Sequence, residues 1–470
     1  MANQRVSQIG GLDLYQNPIN RDNGSMIKAV NLTSDFYGAK TKRPGYTTFL
    51  GTADGSMVMS LFSFHKNDGT QFWLYRASGN KLYSSQQGTG AWTVTGNGTI
   101  SAGAQVGAAV LDNTLVIGDG VGSTRWTTTG TSFNDGTLAP VSKSFEQYQN
   151  RIYAAGTASD LFYSTIDAPT DWNISGTSDS SYIPIPGAGK ILKIFKNNDR
   201  LVACKEDGAM FRWDGYSLLD LSTDLGPTSL NSPAQVEGYY FWLTRLGIFG
   251  YGGDRPELLS NPIQRQIYNT SGSAISGGVF DAAIASVHKY DYFVSVLNIT
   301  DDYTKETITN CLIKYDFNKN EFLNWSIATI PRSFLSYKDA NGNQQFIFGD
   351  SNGQCYKFSD TTYSDNGTPI EAQMMFSVDA GAIELDKRWS WLWLYFNPGC
   401  QAQVQVACTD SFSPAQIRWT EVGDVSEGII RYKFPSGSRS KFLFIRIKES
   451  STSSPFVFYG YSYDAEPIPL

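Results

Sequence analysis

The stretch that decides the fold is Lys196–Gly215, KNNDRLVACKEDGAMFRWDG. A polar turn opens it, an apolar strand follows, and a second turn leads into a strand that ends in aromatic residues. A similar sequence pattern recurs at six further places, starting at Lys66, Leu111, Tyr148, Val236, His288 and Asp339. Asn67 and Asn341 mark equivalent turns in the first and last copies, six steps apart, so the period is about 46 residues.

A period of this length is typical of propeller blades, each a small antiparallel sheet that needs neighbours to cover its faces. The sequence therefore predicts an all-β fold with a six- to seven-bladed β-propeller over residues 57–362. Residues 1–56 are predicted to supply N-terminal strands that complete or flank the propeller. The strands around Val30 to Phe49 are expected to complete the last sheet and close the ring.

The sequence pattern changes after about residue 360, where seven strand-like runs follow one another between short turns. Apolar Leu443, Ile445 and Ile447 alternate there with other side chains, which indicates a strand with one face turned inward. This pattern predicts a C-terminal β-sandwich over residues 363–470.

Composition limits the function classes. Lys and Arg number 37 against 44 Asp and Glu, and the net charge of −7 argues against a protein that wraps nucleic acid. Five cysteines in no C-x-x-C pair indicate buried free thiols. No run of 18 apolar residues and no secretory leader is present, so we expect no membrane span and folding in a cytoplasm.

No catalytic constellation is readable. The two histidines, His65 and His288, open equivalent turns of the repeat, and neither has a nucleophile motif beside it. The segment Ser164–Trp172, STIDAPTDW, partly resembles the Asp-box of sialidases, but it reads better as a blade turn capped by Asp167. We therefore predict no enzyme activity, no catalytic residues, no cofactor and no metal, and keep a sialidase-like glycoside hydrolase as an alternative.

The cationic segment Tyr37–Tyr46, YGAKTKRPGY, is the one candidate site. Lys40, Lys42 and Arg43 are predicted to be DNA- or interface-facing. Lys40 and Lys42 would share one face of a strand, exposed to solvent or against an acidic neighbour, while Arg43 points the other way.

The same segment is predicted to enter a type II turn with Pro44 at its second position and Gly45, at positive φ, at its third. Tyr37 and Tyr46 are expected to pack at a blade edge.

Asn17–Gly51 resembles the start of tail proteins from tailed bacteriophages. The shared pattern is a Gly-Leu leader, an Asn-Pro, a G-x-M-x-x-A-x-N segment and a Lys-Arg-Pro-Gly turn, here Gly11-Leu12, Asn17-Pro18, Gly24 to Asn31 and Lys42 to Gly45. Asn150–Asn173 and the C-terminal region also resemble these proteins. The closest family is the β-propeller tail hub or nozzle (packaged-DNA stabilisation) proteins of short-tailed bacteriophages.

The resemblance implies a structural virion component, assembled in the cytoplasm of the bacterial host. Such a subunit would form a homo-oligomeric ring, a hexamer, around the DNA exit channel and next to portal and adaptor proteins. Double-stranded DNA would pass with weak contact, because tight binding needs Lys and Arg contacts to phosphates. A receptor- or glycan-binding tail protein remains an alternative.

Overall fold

The computed structural model describes residues 2–16, 22–35, 37–67, 69, 71–136, 138–267, 277–300, 306–380, 385–411, 416–425, 427–452 and 456–468. Their regular secondary structure is almost wholly β, as the sequence predicts. The described helices are a 3₁₀ turn at Asn261–Ile263, α1 (Gln264–Ile267) and α2 (Gly277–Asp281). The N-terminal segment supplies five strands: β1 (Ala2–Val6), β2 (Met26–Val30), β3 (Leu32–Ser34), β4 (Lys40–Lys42) and β5 (Gly45–Phe49).

Six consecutive blades are each drawn from one continuous segment. Blade 1 contains β6 (Val58–His65), β7 (Phe72–Ser78), β8 (Lys81–Gln86) and β9 (Thr93–Thr99). Blade 2 contains β10 (Gly107–Leu111), β11 (Thr114–Gly118), β12 (Arg125–Thr127) and β13 (Asn134–Asp135). Blade 3 contains β14 (Ser144–Tyr148), β15 (Arg151–Ala155), β16 (Asp160–Tyr163) and β17 (Ser181–Pro184).

Blades 4 to 6 follow the same order. Blade 4 contains β18 (Ile191–Asn197), β19 (Arg200–Lys205), β20 (Met210–Trp213) and β21 (Leu218–Ser222). Blade 5 contains β22 (Ala234–Val236), β23 (Tyr239–Thr244), β24 (Gly247–Tyr251) and β25 (Glu257–Leu258). Blade 6 contains β26 (Ile284–His288), β27 (Asp291–Thr300), β28 (Thr307–Asp316) and β29 (Glu321–Ser326).

A seventh four-stranded unit, blade 7, closes the ring between blades 6 and 1. It contains β30 (Ser333–Lys338), β31 (Gln344–Gly349) and β32 (Cys355–Ser359), and N-terminal β5 is its outer strand, antiparallel to β32. Backbone hydrogen bonds between β5 and β32 therefore join the N-terminal segment to the last propeller strands. The seven copies of the sequence repeat each span the second and third strands of one unit.

Local chemistry explains the repeat. The turns that open the copies between β10 and β11 and between β14 and β15 are two-residue hairpins with positive φ at both central positions, Asp112–Asn113 and Gln149–Asn150. Asn, Asp and Gly tolerate this backbone, which matches the twist of the flanking strands. The central strands are buried on both faces, as in β7, where all seven residues are inaccessible to solvent.

Apolar clusters join each unit to the next all the way round the ring. Phe195 of blade 4, for example, stacks on Tyr240 of blade 5 with ring centroids 4.1 Å apart. Equivalent clusters join blades 1 and 2, blades 6 and 7, and blades 7 and 1. Radial packing therefore covers both faces of every blade.

The C-terminal segment adds ten strands, of which two extend the sheet of the seventh unit past β5 and eight lie in two further sheets that also contain N-terminal strands. They are β33 (Ser364–Asp365), β34 (Thr368–Pro369), β35 (Ala372–Val378), β36 (Lys387–Phe396), β37 (Gln403–Thr409), β38 (Thr420–Asp424), β39 (Ile429–Lys433), β40 (Arg439–Ser440), β41 (Phe442–Glu449) and β42 (Val457–Pro467).

N-terminal strands join these sheets to the propeller. β2 lies between β29 of blade 6 and β35, so blade 6 continues through β2 into β35, β41, β37 and β38. A second sheet has the order β3-β4-β42-β36-β39, with β1 paired to β42 and β40 to β36. One apolar cluster runs from blade 5 through β2 to both sheets, so the propeller and the C-terminal sheets share a core.

The expected type II turn at Pro44-Gly45 is wrong. Gly45 does not have positive φ and is instead the first residue of β5. Glycine is required there by close approach, since a Cβ atom at this position would lie 2.1 Å from the Ser364 carbonyl oxygen.

Candidate functional site

The cationic segment around β4 lies at the junction of the propeller with the C-terminal sheets. β4 pairs with β3 on one side and with β42 on the other. Lys40, Lys42 and Arg43 are 0%, 1% and 0% exposed. The expectation that they face solvent or DNA is therefore corrected, and the acidic neighbours of all three belong to the same chain.

Lys40 joins the junction to blade 6. Its Nζ lies 2.6 Å from Oε2 of Glu321, the first residue of β29, and 2.6 Å from Oγ of Ser34. Ser34 also donates a hydrogen bond to the Glu321 carboxylate. Burial lowers the pKa of Lys40, although Glu321 opposes that shift.

Lys42 joins the junction to the C-terminal sheet. Its Nζ lies 2.5 Å from Oε2 of Glu449 on β41 and donates to the backbone carbonyl of Ser451 at 2.5 Å. Burial raises the pKa of Glu449, against the effect of Lys42. Lys40 and Lys42 lie on one face of β4, as predicted, but they reach opposite parts of the molecule.

Arg43 has every donor of its guanidinium occupied. Nη1 and Nη2 form a bidentate pair with Asp365 at 2.8 and 2.7 Å, and Nε donates to Oδ1 of Asn31 at 2.8 Å. The remaining two protons reach the carbonyl oxygens of Pro44 and Ser326. The side chain therefore connects the N-terminal segment, blade 6 and the start of the C-terminal segment in one network.

The two tyrosines that flank this segment have different fates. Tyr46 is fully buried and packs edge-on against Phe348 of blade 7, with ring centroids 4.9 Å apart, which agrees with the expected blade contact. Tyr37 is 91% exposed, so its expected packing is wrong. It lies in a turn ahead of β4 rather than on the strand.

A polar cleft of about 550 Å³ opens beside the junction, between blades 6 and 7. Its wall includes His288, Lys289, Asp291, Lys357 and Asp360. The carboxylate of Asp291 is held by the Nζ of Lys314 at 2.9 Å, and Lys289 lies 3.5 Å from Asp360. The charges of this cleft are thus largely paired with one another.

The two histidines occupy equivalent places, as the repeat predicts, at the ends of the inner strands β6 and β26. His65 stacks on Phe72 at 4.9 Å and His288 on Phe346 at 5.1 Å. Burial lowers the pKa of both, that of His288 to about 4. Both therefore pack on an aromatic ring, and Nδ1 of His288 also lies 3.3 Å from Oγ of Ser336.

Acid should therefore destabilise the protein through His288. A histidine whose pKa is lower in the folded state resists protonation there, so its contribution to stability is lost as pH falls from about 6.5 towards 4. His288→Phe, which keeps the stack on Phe346, should show a smaller loss. Urea unfolding midpoints of both proteins at pH 7.5 and pH 5.0 measure this, and equal losses would contradict it.

The segment that resembles an Asp-box is a structural turn. Trp172 is buried and its Nε1 donates to the Pro169 carbonyl at 3.1 Å. Asp171 accepts a hydrogen bond from Oγ1 of Thr165 at 3.0 Å, whereas Asp167 has positive φ. The predicted turn is present, but Asp171 rather than Asp167 caps it.

The described ranges contain all five cysteines of the chain. All five cysteines are free, and four of them are buried. No group of three His, Cys, Asp or Glu side chains within those ranges is arranged to hold a metal ion. Nor does any helix in the described part of the chain have the length and apolar character to cross a membrane.

The outer face of the C-terminal sheet carries an aromatic row that sequence reasoning did not single out as a site. Trp391, Trp393 and Tyr395 alternate along β36 and are only partly buried. The rings of Trp391 and Trp393 stack with centroids 6.0 Å apart, and Nζ of Lys433 lies 5.6 Å from the Trp391 ring. Arg431 lies opposite Trp393 on β39. The alternation in KRWSWLWLYF is the signal that could have identified this face.

No protein-family model matches the chain, and no curated protein matches its sequence. Solved propeller-containing structures are similar at 10% identity over 67% of the chain. They include the designed Ika8 protein (99% of that chain, TM-score 0.39), YCF48 from Cyanidioschyzon merolae (98%, 0.42) and a mitotic checkpoint complex (92%, 0.43). Likenesses of this size carry no argument about function.

Proposed function

We propose that the chain is a structural, non-enzymatic virion component of a tailed bacteriophage, a ring-forming tail hub or nozzle subunit around the DNA exit channel. The observation that supports this most is the role of the segment that carries the family resemblance. Lys42, Arg43 and Gly45 of its Lys-Arg-Pro-Gly motif are all buried at the junction between the propeller and the C-terminal sheets.

A Lys-Arg-Pro-Gly motif that is buried at this junction indicates a shared domain arrangement rather than a binding site. Lys42 needs a carboxylate in the C-terminal region, and Arg43 needs one where the propeller ends. Chains that share the motif are therefore expected to share the joined propeller and C-terminal region. This supports a common architecture with the tail hub proteins, and the virion location follows from it as part of the proposal.

We infer that the C-terminal region is a β-sandwich. Phe376 of β35 and Val406 of β37 lie in one apolar cluster with Leu392 of β36 and Tyr461 of β42, which belong to the other sheet. The rings of Phe376 and Tyr461 are 5.4 Å apart. Two sheets that share inward-facing side chains in this way are the defining feature of a sandwich.

The aromatic row on β36 would be a contact surface between ring subunits. Trp, Tyr and Arg are enriched in interface centres, where truncation of one residue often costs more than about 2 kcal/mol of binding energy. The row presents Trp391, Trp393 and Tyr395 beside Arg431 and Lys433. Portal and adaptor proteins would bind other faces, and DNA would pass the assembled ring with weak contact.

Ring assembly should depend on this row. Native mass spectrometry and electron microscopy of the purified chain should reveal a closed homo-oligomer, with a hexamer expected. Trp393→Ala should weaken association by at least about 30-fold if Trp393 is an interface centre. Arg388→Ala, an exposed change on the same strand, should leave the ring intact.

Two outcomes would count against parts of this proposal. Rings that persist in Trp393→Ala, with normal circular dichroism, would place the subunit contact elsewhere. A strictly monomeric wild-type chain that fails to co-purify with portal or adaptor proteins would reject the tail hub function itself.

A further inference from the structure

The axis of the propeller contains a cavity of about 200 Å³, lined by residues that lie on or just before the first strand of each unit. Its polar lining side chains include Ser60 of β6, Lys143 just before β14, Lys193 of β18, Asn231 and Ser333 of β30. At about 30 Å³ per water, the cavity has room for roughly six waters. It is far too small for duplex DNA, so it is distinct from the proposed exit channel.

Lys143 is held in place by two glycines. A Cβ atom at Gly120 would lie 3.1 Å from the Lys143 Cβ, and a Cβ atom at Gly156 would lie 2.5 Å from its Cγ. The two glycines therefore leave a slot that the aliphatic part of Lys143 fills. A lysine fixed along its stem directs its ammonium group with less loss of side-chain entropy on binding a ligand.

Neither cavity lysine forms an ion pair with a carboxylate in the described residues, in contrast to Lys28, Lys40, Lys42 and Lys314, which are all paired. Glu146 of β14 is the acidic group that influences Lys193; burial raises the pKa of this carboxyl to about 7 and lowers the pKa of Lys193. Both lysines are partly exposed, and none of the described residues that line the cavity is acidic, so its lining has an excess of cationic donors.

Two hydroxyl groups add to these donors. Oγ of Ser60 accepts the backbone N–H of Val106 at 2.8 Å, which leaves its own proton to donate. Ser333 is 6% exposed, and its Oγ has no hydrogen-bond partner among the described residues. Buried hydroxyls are rarely left without a partner, and both of these belong to residues that line the cavity.

We propose that the axial cavity binds one small oxyanion, of the size of inorganic phosphate or sulfate, between Lys143 and Lys193. The hydroxyls of Ser60 and Ser333 donate to its oxygens. Ammonium and hydroxyl groups supply protons to an anion from several sides, which is the chemistry that an oxyanion requires. An anion at this place would also connect blades 1, 3, 4 and 7, and it does not depend on the tail function.

The test is binding of inorganic phosphate and sulfate to the full chain, by isothermal titration and by the shift in melting temperature at constant ionic strength. Sodium chloride is the reference salt. At about 100 times the dissociation constant, either anion should raise the melting temperature by about 1–3 °C relative to chloride. Absence of any shift beyond chloride, with no heat of binding, overturns the proposal.

Three variants locate the site. Lys193→Gln should weaken phosphate binding at least about 10-fold, and Ser333→Ala should weaken it by a smaller factor. Glu146→Gln, which removes the carboxyl that influences Lys193, should strengthen it. Lys190→Gln is the matched control, because Lys190 is exposed, precedes the same strand and does not line the cavity.

The pattern of these variants decides the result. Phosphate affinity that is equal in the wild type, Lys193→Gln and Ser333→Ala would show binding elsewhere on the surface and overturn the proposal. Should Lys193→Gln fail to fold, the opposite effects of Ser333→Ala and Glu146→Gln still test it. Failure here would leave ring formation and portal binding untouched.

Discussion

Replacing Arg43 with alanine should lower the free energy of unfolding by about 3–5 kcal/mol, the loss typical of a broken buried ion pair. The change leaves the Asp365 carboxylate, 5% exposed, without its bidentate partner, and removes the Arg43 donors to Oδ1 of Asn31 and to the Ser326 carbonyl. Urea unfolding followed by tryptophan fluorescence measures the loss. We expect it to be among the largest of any single charged residue in the chain.

Two companion variants test the reason. Arg43→Lys keeps the charge but cannot make the planar fork, so it should recover only a small part of the loss. Arg439→Ala, at an exposed arginine of β40, should change stability by less than about 0.5 kcal/mol. An Arg43→Ala protein no less stable than Arg439→Ala would show that the network contributes little.

Replacing Lys42 with methionine should be comparably harmful, again by about 3–5 kcal/mol, because Glu449 remains buried beneath β4 without its cationic partner. The double variant Lys42→Met/Glu449→Leu should recover much of that loss. Removing both partners of a buried pair leaves no unpaired charge, and apolar side chains of similar volume often replace such pairs at little cost.

A double-mutant cycle measures the coupling directly. Stabilities of the wild type, both single variants and the double variant should give a coupling energy of at least about 1 kcal/mol. If the losses of the two single variants simply add in the double variant, Lys42 and Glu449 do not interact as the geometry implies.

The blades could be predicted because their signals are local. The residue types of a turn such as Asp112–Asn113 predict its backbone conformation, and the apolar residues of a strand between two such turns predict that the strand is buried. Because the turn-and-strand pattern recurs in seven copies, a pattern that is weak in one copy predicts the whole propeller. The equivalence of His65 and His288 followed from the same periodicity.

The burial and the ion-pair partners of the cationic segment Tyr37–Tyr46 could not be predicted from local signals. Lys40 lies 281 residues from Glu321, and Arg43 lies 322 residues from Asp365. Three cations in ten residues are more often exposed than buried, since Lys and Arg are rarely inside without partners. The partners are visible only when β4 is seated between β3 and β42.

Gly45 illustrates the same division at the level of the backbone. A Pro-Gly pair usually indicates a turn, because glycine accepts positive φ. Here the Ser364 carbonyl approaches so closely that no side chain fits, and the conformation itself is extended.

By itself, the sequence determined an all-β chain with repeated blades, free thiols and no readable catalytic motif. Only the tertiary structure decided that Lys40, Lys42 and Arg43 hold the molecule together, that the aromatic row of β36 faces outward, and that Lys143 and Lys193 line one axial cavity. The physical reason is that hydrogen bonds within turns and strands act between near neighbours, whereas the pairing of a buried charge depends on groups that folding brings from hundreds of residues away.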